Sequence, residues 1–158
     1  MLRQRRGKDP APRPRGRGLG DGGIFYAAPG QPGALQGDGG TRTASVTGGY
    51  VALALACKKL MAQGLLTEDP LLGSVAAVSA GIVDDQLLLD LCYEEDSAAQ
   101  VDLNCVMTDR GQLVEIQGTG EGRSFTIEEQ RGLVDLCAKG IRDIMAIQQA
   151  AIRQGEEG

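Results

Sequence analysis

Between residues 43 and 63 apolar side chains recur at intervals of three and four: Val46, Tyr50, Val51, Leu53, Ala54, Cys57, Leu60 and Met61. That is the repeat of one face of a helix, and it predicts a helix from about Thr43 to Gln63. Gly64 is placed to end it, and Pro70 lies where the chain has left it. Gly48 and Gly49 each lower helix stability by about 1 kcal/mol relative to Ala, so both are expected at a close packing contact. The period then shortens. SVAAVSAGIV (74–83) and LLLDLCY (87–93) flank Asp84-Asp85-Gln86, while VDLNCVMT (101–108) and LVEIQG (113–118) flank Asp109-Arg110-Gly111-Gln112. These predict two hairpins of an antiparallel sheet. After Gly122, Ser124 or Thr126 is a candidate N-cap, with Glu128 and Glu129 suited to a first turn. The stripe Ile127, Leu133, Leu136, Cys137, Ile141, Ile144 and Met145 marks a final helix. Helix, four strands and helix make an α+β fold.

Residues 1–34 break with this pattern. They are crowded with Arg, Pro and Gly and carry no period apart from a short IFYAA at Ile24 to Ala28, so they are expected to be irregular or disordered, with the folded domain at 35–158. The formal charge of −5 conceals an asymmetry: residues 1–18 hold seven Arg/Lys against one Asp, leaving nine against twenty in the remainder. A basic arm thus precedes an acidic body, and such an arm is either a contact for RNA phosphates or a solvated tail.

Composition narrows the chemistry further. A chain of 158 residues that is 42% hydrophobic supports one domain with a true core, and at 3% aromatic that core is aliphatic. Without a single His, the chain has no imidazole base or metal ligand, which excludes Ser-His and Cys-His hydrolases. Cys57, Cys92, Cys105 and Cys137 form no CxxC pair and read as buried free thiols in a reducing cytosol. No apolar run has membrane-spanning length and the N-terminus lacks the apolar middle of a signal peptide, so a soluble, cytoplasmic protein is expected.

Two constellations carry candidate chemistry. GDGGTRTASVTGG (37–49) sets glycines, Thr41 and Arg42 before the first helix, where backbone N–H groups, a hydroxyl and a guanidinium all attract phosphate. It is neither GxxxxGK[ST] nor GxGxxG, and by spacing alone it reads as a helix-capping turn with an incidental Arg rather than as an anion site. LLLDLCYEEDS gathers Asp90, Glu94, Glu95 and Asp96. Asp90 and Asp96 are six apart, so in extended chain both project from one face and can hold Mg²⁺ through oxygen. The competing reading is a solvated acidic turn. Glu115, Gln117 and Thr119 read as strand-end packing, and Lys58, Lys59, Arg131 and Arg142 as solvated faces.

QGDGGTRTASVTGGYVAL, VAAVSAGIVDDQLLLDLCYEEDSAAQVDLNCVMTDRGQLVEIQGTGEG and the helix bearing KGI together resemble the later portion of the ribonuclease PH family, from about Leu35 to Arg153. Cys92, Gly37 and Gly120 depart from the family's usual residues. The resemblance implies a ribosomal protein S5 domain 2-like fold and phosphorolytic 3′-to-5′ trimming of tRNA 3′ ends. Inorganic phosphate would be the co-substrate and nucleoside diphosphates the products, with nucleotidyl transfer in reverse. It implies that Gly40, Thr41 and Arg42 bind the attacking phosphate and that Asp90 and Asp96 are catalytic and hold Mg²⁺. It further implies RNA as partner and a homo-oligomeric, hexameric ring. The family's N-terminal half, which brings another phosphate-contacting arginine, has no counterpart in residues 1–34, so impaired activity is expected. The same fold also serves as a non-catalytic RNA-binding or ring-assembly subunit, and the GGTRT turn with Asp90 and Asp96 argues against that alternative.

Overall fold

In a computed structural model, residues 25–28, 31–34 and 40–156 are described. Phe25–Ala28 (β1) and Gln31–Ala34 (β2) pair as an antiparallel hairpin inside the stretch read as irregular. The expectation of disorder for the rest of residues 1–34 falls outside the described residues. There follow α1 (Thr41–Ala62), β3 (Val75–Val83), β4 (Gln86–Leu89), α2 (Tyr93–Ala98), β5 (Val101–Thr108), β6 (Leu113–Gly120) and α3 (Ile127–Glu156). β3 to β6 form one antiparallel sheet in the order β4-β3-β5-β6, so both expected hairpins are present and β3 joins them by pairing with β5.

Alternation sorts the sheet into two faces. Val101, Leu103, Cys105 and Met107 of β5 join Ala76, Val78, Ala80 and Ile82 of β3 against Leu133, Cys137 and Ile141 of α3, forming the aliphatic core. The intervening residues of β5, among them Asp102 and Asn104, are half-buried on the opposite face. On β3 that second face is lined by small residues, and Gly81 is required there: a Cβ would lie 2.6 Å from both Leu91 Cδ1 and the Val101 carbonyl oxygen. Cys57, Cys105 and Cys137 are buried as expected, but Cys92 is exposed.

The strand expected over 87–93 is cut short. β4 ends at Leu89 because Asp90 adopts φ 58, a left-handed conformation that Asp tolerates better than most residues. Tyr93 then begins α2, whose N-cap is a reciprocal box: the Cys92 N–H donates to Glu95 Oε2 at 3.0 Å, and the Glu95 N–H donates to the Cys92 sulfur. Acids in this first turn, Glu94, Glu95 and Asp96, also complement the helix dipole. Local capping overrides the apolar run that suggested extended chain.

Since β4 pairs only with Ala80–Val83, the outer edge of β3 from Val75 to Ser79 needs other partners. The Asp90 N–H donates to the Ser79 carbonyl at 2.8 Å. Thr47 Oγ1 of α1 accepts the Ala77 N–H at 3.1 Å and donates to the Ala77 carbonyl at 3.2 Å. Gln148 of α3, almost fully buried, donates through Nε2 to Val75 O at 3.1 Å and Thr47 O at 3.0 Å. α1 thereby takes the place of a strand. Its attached face carries Thr43, Thr47, Ala54 and Cys57, which explains why Gly49, expected at a close contact, is exposed with nothing within 4 Å of its missing Cβ. Leu53, Leu60 and Met61 on the outward side are exposed too.

Thr126, rather than Ser124, caps α3. Its Oγ1 accepts the Glu129 N–H at 3.1 Å, and Glu129 Oε2 accepts the Thr126 N–H at 2.7 Å. Arg123 adds a forked contact to the same carboxylate at 2.8 and 3.3 Å. The Arg123 guanidinium, followed by the Thr126 N–H, holds the Glu129 carboxyl down at about 2 against an ordinary 4.5.

Two outcomes are expected. Thr47→Val keeps the shape but strips both backbone groups of Ala77 of their partner, and should destabilise the fold by about 1–3 kcal/mol in urea denaturation. Glu129, whose folded pKa lies below its unfolded one, contributes stability in full above pH about 4.5 and loses it as the pH falls towards about 2. Glu129→Gln should therefore flatten this acid limb of the stability curve, as followed by denaturation at stepped pH.

Candidate active site

The first turn of α1 meets the second face of the sheet at Gly40. This residue is left-handed (φ 70), and a Cβ on it would sit 3.1 Å from Ser79 Oγ, 3.3 Å from Thr43 Oγ1 and 4.0 Å from Asp90 Oδ1. Its carbonyl accepts the Ala44 N–H at 2.9 Å and Thr43 Oγ1 at 2.8 Å, which braces the turn from below. Gly40 supplies no side-chain cap and the first turn of the helix holds no acid of its own.

A pocket of about 260 Å³ opens at this point, lined by Gly40, Thr41, Arg42, Ser79, Asp96, Asp102 and Asn104. Ser79 is 3% exposed, and its Oγ has no hydrogen-bond partner among the described residues. An orphan buried hydroxyl costs about 1–3 kcal/mol, and a ligand oxygen in the pocket would supply the missing partner.

The acidic wall is formed by two carboxylates. Burial raises the pKa of Asp102, and the neighbouring charges of Asp96 and then Glu121 raise it further; the Asn104 Nδ2 hydrogen bond to Asp102 Oδ2, 3.1 Å long, acts in the opposite direction. No group of three or more His, Cys, Asp or Glu is arranged to hold a metal among the described residues, so a cation here would rest on this pair and on ligand or water oxygens.

Arg42 crosses to β6. Its Nη1 donates to Gln117 Oε1 at 3.1 Å, and its Nη2 forms an ion pair with Glu115 Oε1. The register explains how: Gln117 lies opposite Asn104, Glu115 opposite Val106 and Thr119 opposite Asp102, all on the polar face.

Of the residues singled out by sequence, Gly40, Thr41, Arg42 and Asp96 come together in the pocket. Asp90 is next to that lining, its Oδ1 4.0 Å from where a Cβ on Gly40 would sit and on the same side as Ser79 Oγ, and the extended strand that was to aim Asp90 and Asp96 from one face does not exist, because Asp96 is on α2. Ser79, Asp102 and Asn104 were missed. Asp102 is also six residues from Asp96, and the alternation of VDLN sets Asp102 and Asn104 opposite the core, so the signal was present. Glu115 and Gln117, read as packing residues, hold Arg42. A larger cavity of about 480 Å³, with Leu72, Ser74, Thr108 and Arg110 in its wall, contains none of the predicted residues.

Residues 73–150 match the 3′ exoribonuclease family, domain 2. Over 118 residues, 75% of this chain, it is 57% identical to the ribonuclease PH of Corynebacterium glutamicum (strain R), covering 48% of that protein. It is 54% identical to the ribonuclease PH of Moorella thermoacetica over the same length, covering 47%. The chain thus spans about half the length of the curated relatives it matches. The crystal structure of rice (Oryza sativa) Rrp46 shares the fold with a TM-score of 0.57 at 15% identity, across 76% of this chain and 51% of that one. The sequence matches carry the conclusion: over the matched residues the chain belongs to the ribonuclease PH family, with 73–150 its second domain.

Proposed function

We propose that this chain carries the phosphate and cation side of a phosphorolytic 3′-to-5′ exoribonuclease that trims tRNA 3′ ends and adds nucleotides in reverse. The observation that carries the reading is the Ser79 hydroxyl, buried without a partner among the described residues where a helix N-terminus, a guanidinium and two carboxylates share one pocket. Homologues named ribonuclease PH support the reaction class. RNA 3′ ends as substrate and a homo-hexameric ring are part of the proposal.

Inorganic phosphate is held by the first turn of α1, by Thr41 and by Arg42, while Ser79 Oγ–H donates to one of its oxygens. An oxygen of the phosphate attacks the phosphorus of the last phosphodiester. The bond from that phosphorus to the 3′ oxygen of the penultimate nucleotide breaks, and the proton of hydrogen phosphate passes to the departing oxygen. A nucleoside diphosphate and an RNA shortened by one nucleotide result. Arg42 stabilises the charge that grows on the phosphoryl oxygens. No enzyme nucleophile takes part, so the lack of His is no obstacle.

Asp96 and Asp102 fit Mg²⁺: both are oxygen donors, their charges oppose one another, and two carboxylates leave room for water and phosphate oxygens. When bound, the cation neutralises charge on the phosphates. Asp90 stands beside the pair, against Gly40, where its carboxylate shapes the phosphate turn.

The full chain is expected to release nucleoside diphosphate from a 3′-extended tRNA only with phosphate and Mg²⁺ present. Arg42→Ala should lower this release by about 10²–10³, the usual loss on removing one transition-state donor, and Asp96→Asn should also suppress it. Release that ignores phosphate, or that survives both changes, overturns the reading. In a carboxyl ¹³C titration Asp102 should ionise above the ordinary carboxylate range, and either Asp96→Asn or added Mg²⁺ should bring it down. A titration unmoved by Mg²⁺ removes the cation from this pair.

A further inference from the structure

We infer that Glu115 and Gln117 are positioning residues for Arg42, fixing which edge of its guanidinium faces the anion; this rests on the reading of Arg42 as a phosphate ligand. Arg42 is a long side chain, about half exposed, projecting from the first turn of a helix. What orders it is β6. Gln117 Oε1 accepts from Nη1 and Glu115 Oε1 from Nη2, so each terminal nitrogen is held by one acceptor. A guanidinium offers five N–H donors in a fixed plane, and three are left, including Nε–H, for a ligand in the pocket.

The strand is suited to this task. Every residue of β6 is exposed, so its polar side chains are not tied up in the core. Yet its register sets Glu115 and Gln117, two apart and on one face, over the same side of the sheet as Asp102 and Asn104. An exposed acceptor pair on that face is explained by the side chain it holds.

A carboxylate beside an anion site has one other possible role, competition with phosphate for Arg42, and the two roles have opposite signs. The test measures binding of inorganic phosphate to the full chain in the presence of Mg²⁺ by calorimetry, comparing the parent with Glu115→Ala, Glu115→Gln and Arg42→Ala. Positioning predicts that Glu115→Ala weakens binding by about two- to tenfold, the cost of ordering one long side chain afresh, and that Glu115→Gln, which keeps the acceptor, restores it. Tighter binding by both Glu115 variants would establish competition and overturn the inference, as would three indistinguishable affinities. Failure of the parent to bind phosphate, with Arg42→Ala no different, would overturn the underlying phosphate reading and this inference with it. A second readout is independent of phosphate: the Arg42 Nε–H signal in the ligand-free protein should be ordered in the parent and in Glu115→Gln and averaged in Glu115→Ala. An unchanged signal in Glu115→Ala again overturns positioning.

Discussion

The unpaired edge of β3 organises the molecule. β4 stops after four residues, and a strand edge from Val75 to Ser79 inside a folded domain must find donors and acceptors elsewhere. Thr47 satisfies Ala77 in both directions, Gln148 takes the Val75 carbonyl, and Asp90 takes the Ser79 carbonyl. These bonds dock α1 against the sheet at a fixed height, and that height sets Gly40 beside Ser79. A longer β4 would have filled the edge and displaced the helix. The first turn of α1 is therefore positioned by hydrogen bonds two turns away from it.

Opposed charges meet at that point. The positive end of α1 and Arg42 face Asp96 and Asp102 across one small pocket, and the protein does not neutralise them by pairing Arg42 with either acid. Arg42 is drawn aside to Glu115, and the Asp102 carboxyl is pushed up by burial and by its neighbours. Together with the orphan Ser79 hydroxyl, these are energetic costs in the free protein that an anion and a cation bound together would relieve. Sites that bind charged ligands are where such unsatisfied groups are expected to persist.

Much of this was legible in the sequence. Periods of three to four and of two located both long helices and both hairpins, because amphipathic elements announce the face they bury. The misreadings share a cause. LLLDLCY looks extended until Asp90 turns left-handed and Glu95 closes a box on Cys92, which are local hydrogen bonds that hydrophobic period cannot see. Gly48 and Gly49 suggested a packed contact, but α1 attaches through Thr43 and Thr47, and Gly49 lies on the other side. The site was half visible: the GGTRT turn and Asp96 stand out as motifs, whereas Ser79 is one small residue in an apolar strand and gains meaning only when Gly40 packs beside it. Asp102 was passed over because the acids crowded at 90–96 drew attention to a shorter segment than the one that folds together.

β6 separates stability from function in a way the other strands do not. Residues of β3 serve both, since Ala80 and Ile82 build the core while Ser79 lines the pocket, and a change there alters packing and chemistry together. β6 is exposed along its whole length and pairs with β5 through a backbone ladder, with close packing only at its glycines: a Cβ would lie 3.2 Å from Phe125 Cζ at Gly118 and 2.3 Å from the Arg123 carbonyl oxygen at Gly120. Substitution of Glu115 or Gln117 thus leaves core volume and backbone pairing in place, and what it alters is the freedom of one arginine. Exposed and outside the core, these two side chains are for that reason the ones whose replacement reports most directly on Arg42.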